Sequence, residues 1–95
     1  MKRKNKSVRQ VEFKKNSEKM IQKIFGDNLK RIREEQDLSQ ESLAFIAGLS
    51  RSYYAEVEGG KRNLSLINIS RIASALDVEL NKLLTLRDIE KYIIK

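Results

Sequence analysis

Apolar residues recur at three- and four-residue intervals along most of this chain, and the pattern divides into a series of short stretches. Met20, Ile21, Ile24, Phe25, Leu29 and Ile32 form one stripe, which predicts a helix over about 17–36 capped by Asn16 or Ser17. Gly26 falls inside it, where glycine weakens a helix by ~1 kcal/mol relative to alanine and marks a place for a break or kink. The part after Gly26 is expected in the core fold and the part before it as an extension. Asp37 and Leu38 read as a turn, and Ser39 as the cap of a second helix, about 39–47. Leu43, Ala44, Ile46 and Ala47 give that helix its buried face, the two alanines allowing another helix close approach.

Gly48 can take the left-handed conformation that ends a helix and turns the chain. Leu49 then plugs the core, and Ser50 caps a third helix, about 50–58, that points Tyr54 and Val57 inward. Gly59 and Gly60 end it. Ser65 caps a fourth helix, about 65–76, with Ile69, Ile72, Ala73 and Leu76 as its stripe. Asp77 and Val78 turn the chain into a short fifth helix, about 79–84, carrying Leu80, Leu83 and Leu84. Residues 85–95 form an amphipathic segment with Leu86, Ile89, Tyr92 and Ile93 at helical spacing, a stripe to be buried on its own core or on a second subunit.

Composition narrows the chemistry. A chain of 95 residues holds one small domain. It has no proline, in keeping with uninterrupted helices, and neither cysteine nor histidine. Disulfides, thiolate or imidazole metal sites and the commonest general base are therefore missing. No paired carboxylates suggest a catalytic pocket, so an enzyme is not expected, nor a metal or cofactor. Gly59-Gly60-Lys61 lacks both the long glycine-rich loop and the Ser/Thr after lysine that a P-loop needs. No apolar run approaches the ~20 residues that span a bilayer, and the basic N-terminus lacks a signal peptide's apolar segment. The expected setting is soluble and cytoplasmic, away from membranes.

Charge is unevenly placed. The net charge is +7, and residues 1–16 carry Lys2, Arg3, Lys4, Lys6, Arg9, Lys14 and Lys15 against Glu12. Of the chain's 20 basic and 13 acidic residues this leaves 13 and 12 for the rest, a nearly neutral body. A basic, flexible arm on a neutral body fits a polyanion partner, through counterion release, and equally a solubilising tail with no specific role.

The third helix adds the chemistry. With Tyr54 and Val57 inward, Ser52, Ala55 and Glu56 point away from the core, flanked by Arg51 and Tyr53. Small residues there permit close approach to a surface that arginine and tyrosine can contact.

Leu38-Ser39-Gln40-x-x-Leu43-Ala44, Gly48-Leu49-Ser50 and Tyr54-x-x-Val57-Glu58-x-Gly60 together resemble the lambda-repressor-like (Cro-type) helix-turn-helix domain, over about Phe25–Leu84. The run Gly60-Lys61-Arg62-Asn63-Leu64-Ser65-Leu66, with Ile69, Ile72-Ala73 and Ala75-Leu76-Asp77-Val78, is similar to the controller proteins of restriction–modification systems. The resemblance implies an all-α, five-helix DNA-binding domain over 17–84, between a basic N-terminal extension and a short C-terminal helical extension. It also implies a homodimeric transcription regulator, repressor or activator, that binds double-stranded DNA; no small-molecule effector is expected.

Carried onto this sequence, it makes Arg51, Ser52 and Glu56 the base-reading residues. Arg51 would bridge guanine O6 and N7, and Glu56 would accept from cytosine N4 or orient Arg51. Gln40, Tyr53, Lys61, Arg62, Asn63 and Ser65 fall at DNA-backbone positions, Gln40 also bracing the recognition helix. Arg33 and Glu58 match an internal ion pair between the first and third helices. Leu80, Leu83, Leu86, Ile89, Tyr92 and Ile93 are the candidates for a dimer interface. The alternative reading is an antitoxin-like protein-interaction module on the same fold, served by the arm and the terminal stripe.

Overall fold

A computed structural model of the protein describes residues 15–85. They form five α-helices, with no strand among the described residues: α1 (Lys15–Glu35), α2 (Gln40–Ala47), α3 (Arg51–Glu58), α4 (Leu66–Leu76) and α5 (Leu80–Leu83). Most of the basic arm lies outside the described residues, as do Leu86, Ile89, Tyr92 and Ile93. Lys15 and Asn16, expected in the arm, instead belong to α1, so the helix passes through the positions expected to cap it.

The three serines cap as their positions predict. The Ser39, Ser50 and Ser65 side chains accept from the amides of Ser42, Tyr53 and Asn68, opening α2, α3 and α4. Each such cap contributes ~1 kcal/mol by satisfying an amide the helix leaves unpaired. The helix ends share a different device. After α1, α2, α3 and α4 the chain places Asp37, Gly48, Gly60 and Asp77 in the left-handed region. The next amide, of Leu38, Leu49, Lys61 or Val78, then donates back to the carbonyl of Arg33, Ala44, Glu56 or Ala73. That is the Schellman arrangement, and three of its four following residues are apolar and pack on the core. The turns after α1, α2 and α4 therefore close a helix and add to the core in the same step.

α1 packs on α3 and α5, α2 on α3 and α4, and α4 on α5. Phe25, Leu29, Ile32, Leu43, Ala44, Ala47, Tyr54, Val57, Ile72, Ala73, Leu76 and Leu83 make one buried cluster. Full burial of a side chain such as Leu29, Leu43 or Leu76 contributes about 1.5–3 kcal/mol.

Four expectations are corrected. α1 runs unbroken through Gly26, and Ile24 and Phe25 before it are buried, so the segment is part of the domain and not an extension. Ile21 sits on the exposed side of the stripe because one helix face wide enough for six residues exceeds what α3 and α5 cover. Ile46, expected in the core, is 56% exposed, and its neighbour Phe45 84%. On an eight-residue helix the partners touch only the side carrying Leu43, Ala44 and Ala47. Leu83, expected at a dimer interface, is fully buried in the chain's own core and is not available to a second subunit.

Candidate nucleic-acid interface

α3 is held from behind by one carboxylate. Glu58, its last residue, is 6% exposed and accepts from three side chains. Arg33 on α1 approaches it with two nitrogens, Nε to Oε2 at 2.5 Å and Nη2 to Oε1 at 3.1 Å. The Tyr54 hydroxyl donates to Oε2 at 2.5 Å, and Gln40 Nε2 at the start of α2 donates to Oε1 at 3.0 Å. Arg33 also donates through Nη1 to the carbonyl of Leu38 at 2.6 Å, tying the α1–α2 turn into the same group. Burial on its own would push the Glu58 carboxyl up; the hydrogen bonds from Arg33, Tyr54 and Gln40 outweigh it and hold the group below the ordinary range. Arg33 is raised, chiefly by its hydrogen bond to Glu58, and Tyr54 is raised by burial and then by Glu58, so it stays a neutral donor. Three helices thus meet at Glu58. With fork-to-fork geometry and every buried side-chain polar atom among the described residues partnered, this pair has the hydrogen bonding a desolvated charge requires.

The opposite face of α3 is open. Arg51, Ser52 and Glu56 are exposed, and Arg51 forms no ion pair among the described residues. Glu56 is engaged: its Oε1 lies 2.8 Å from Arg62 Nε. Arg62 in turn lies over the Tyr53 ring, 5.0 Å from its centroid, and the Tyr53 hydroxyl accepts from Asn68 Nδ2 on α4 at 3.3 Å. Lys61, Asn63 and Ser65 lie exposed in the segment between α3 and α4 or at its end, with the Ser65 oxygen occupied in capping α4. Gln40, at the start of α2, is half-buried, its amide nitrogen being spent on bracing α3 through Glu58. The structure therefore brings Tyr53, Glu56 and Arg62 into direct contact, while Arg51 and Ser52 stand at the free N-terminal end of α3.

Two polar residues that matter here are not among those singled out in the sequence. Asn28 is almost fully buried; its Nδ2 donates to the carbonyls of Leu83 and Thr85, and its Oδ1 accepts from Arg31. It fastens the end of α5 to α1. Gln36 Nε2 donates to the carbonyl of Leu76 at 2.8 Å, closing the end of α4. A signal for Asn28 was present in the spacing, since it stands four residues from both Ile24 and Ile32 on the buried stripe. Gln36 had none.

Among the described residues no group of acidic side chains is placed to hold a metal ion, and no helix is long and apolar enough to cross a membrane.

Comparison with known proteins gives a consistent set of similarities. The profile of the helix-turn-helix family matches residues 29–83. Control protein C.MunI from Mycoplasma sp is 48% identical over 68 residues, covering 70% of this chain and 89% of the relative. Control protein C.BamHI from Bacillus amyloliquefaciens is 43% identical over 65 residues, covering 67% and 80%. Among solved structures, the restriction-modification controller protein C.AhdI from Aeromonas hydrophila superposes with a TM-score of 0.64 at 50% identity, over 65% of this chain and 94% of that one.

Proposed function

On the premise that the chain belongs to the helix-turn-helix family, within its group of restriction–modification controller proteins, we propose that it is a sequence-specific DNA-binding transcription regulator of a restriction–modification operon. It acts in the cytoplasm, without a cofactor and without catalysis. The observation that carries this reading is the two-sided character of α3. Its inner side is fixed to α1 and α2 through Glu58, and its outer side offers Arg51 and Ser52 unencumbered. A rigid helix with a free arginine at its leading end suits entry into the major groove, where Arg51 can bridge guanine O6 and N7. Lys61, Arg62, Asn63, Tyr53 and Ser65 follow the backbone on either side, with the first amides of α4 available to a phosphate.

The active form in this reading is a homodimer on a pseudo-palindromic operator, with half-sites about one helical turn (~34 Å) apart. Leu80 on α5 and Leu84 just after it support it, being large apolar residues exposed among the described residues. With Leu83 committed to the core, they and the terminal stripe from Leu86 to Ile93 form the contact.

Selection of bound sequences from random duplex DNA tests the proposal. Recovery of an inverted repeat with that spacing is the expected result. Enrichment of no sequence above background would overturn it.

A further inference from the structure

The ion pair between Glu56 and Arg62 is a feature of the α3 surface that the reading above does not use. Both side chains are 47% exposed, so the pair adds little to stability and its effect lies in geometry. Glu56 stands four residues after Ser52 on the same face of α3, where an unpaired carboxylate would face the phosphates of a bound duplex and repel them. Arg62 neutralises it and donates to it through Nε. Its guanidinium is at the same time laid over Tyr53, whose hydroxyl is fixed by Asn68. A planar fork held by its Nε and supported on an aromatic ring leaves both terminal nitrogens able to donate, because neither forms a hydrogen bond among the described residues. Two parallel donors in one plane are what a guanine edge accepts.

We propose that Glu56 is a positioning residue that holds Arg62 against Tyr53 with its terminal nitrogens turned outward, so that Arg62 reads a base edge and contributes sequence discrimination. This rests on the DNA-binding function proposed above. It reassigns Glu56 from reader to holder and Arg62 from backbone clamp to reader.

The test uses the full chain with Glu56→Gln, Arg62→Ala, Arg62→Lys and the double variant Glu56→Gln/Arg62→Ala. In the free protein, NMR of the Arg62 Nε–H should show a distinct, slowly exchanging resonance that Glu56→Gln abolishes; an unchanged resonance would overturn the positioning. Affinity is then read on the sequence recovered by selection and on an unrelated duplex. Glu56→Gln should weaken the selected site about tenfold and leave the unrelated duplex unchanged or tightened. Arg62→Lys, which keeps the charge and loses the planar fork, should do the same. In the Arg62→Ala background Glu56→Gln should no longer weaken the selected site, and should tighten both duplexes alike by removing a carboxylate that has lost its partner. Equal tightening on both duplexes with Arg62 in place would show Glu56 to be only a repelling charge and would overturn the proposal. Failure to select any sequence would count against the function and leave the NMR result to decide the positioning.

Discussion

Gly26 of α1 lies against the carbonyl oxygen of Glu58 at the end of α3, so closely that a Cβ on Gly26 would stand 2.5 Å from it. The Val57 carbonyl would be at 2.8 Å. Both obstacles are backbone, so neither can be relieved by a change of rotamer. The glycine that weakens α1 as a helix is what lets α1 and α3 meet, and that approach brings Arg33 to Glu58.

Gly26→Ala should therefore destabilise the protein, although alanine is the better helix former. Overpacking against fixed backbone costs about 1–3 kcal/mol, partly offset by the ~1 kcal/mol gain in helix propensity. Urea unfolding should show a lower midpoint with an unchanged slope. A higher midpoint would mean that the two helices do not meet as described.

Glu58 makes stability depend on acidity in a defined direction. Its carboxyl is held below the ordinary value by its hydrogen bonds. It thus binds a proton less readily when folded than when unfolded. The stability this supplies is fully present above the unfolded value, roughly pH 4.3, and is lost as pH falls toward the lowered folded value. Glu58→Gln should cost about 3–5 kcal/mol at neutral pH, because Arg33 keeps its charge with only 9% of its side chain exposed. If that variant is too unstable, Tyr54→Phe removes one of the hydrogen bonds and should flatten the acid limb in part. Urea midpoints between pH 7 and pH 3 provide the measurement. An acid limb identical in wild type and variants would refute the role given to Glu58.

The sequence was most informative where one residue type has one physical use. Serine before a helical stripe reads as a cap, and Ser39, Ser50 and Ser65 all act so. Gly48 reads as a left-handed helix stop, and it is one. The pattern was less informative where a role depends on what lies across the core. Gly26 reads as a weak point until α3 is seen against it. Ile46 and Leu83 have the same apolar character, yet one faces water and the other is enclosed, because short helices are covered on one side only. The engagement of Glu56 by Arg62 likewise depends on how the segment after Gly60 folds back, which spacing along α3 does not encode.

Asp77 offers a test of the helix-end device. Its φ is 58°, in the left-handed region, where asparagine and glycine are better tolerated, and its negative charge sits at the negative end of α4. Asp77→Asn should keep the turn and remove the unfavourable charge, stabilising the protein by about 0.5 kcal/mol, or roughly 2–4 °C in Tm. A β-branched residue fits that backbone poorly, so Asp77→Val should lower Tm instead. If both variants melt with the wild type, the left-handed turn is not formed in solution.

Arg51 and Lys61 separate two kinds of DNA contact. Arg51 is at the first position of α3, exposed, and without an ion pair among the described residues, so removing it leaves the domain's packing untouched. Arg51→Ala should cost about 1–3 kcal/mol on the selected site and relax the preference at one base pair of each half-site. Lys61 lies in the segment after Gly60, where a lysine meets phosphate as a point charge. Lys61→Ala should weaken selected and unrelated duplexes alike. It should also reduce the dependence of log affinity on log salt concentration by about 0.9 per contact removed. The two variants are compared by titrating both duplexes at several salt concentrations and repeating the selection with each protein. If Arg51→Ala shifted only the salt dependence while the selected sequence stayed the same, the leading end of α3 would be a phosphate contact, and base reading would have to lie elsewhere, on the rest of the helix or at Arg62.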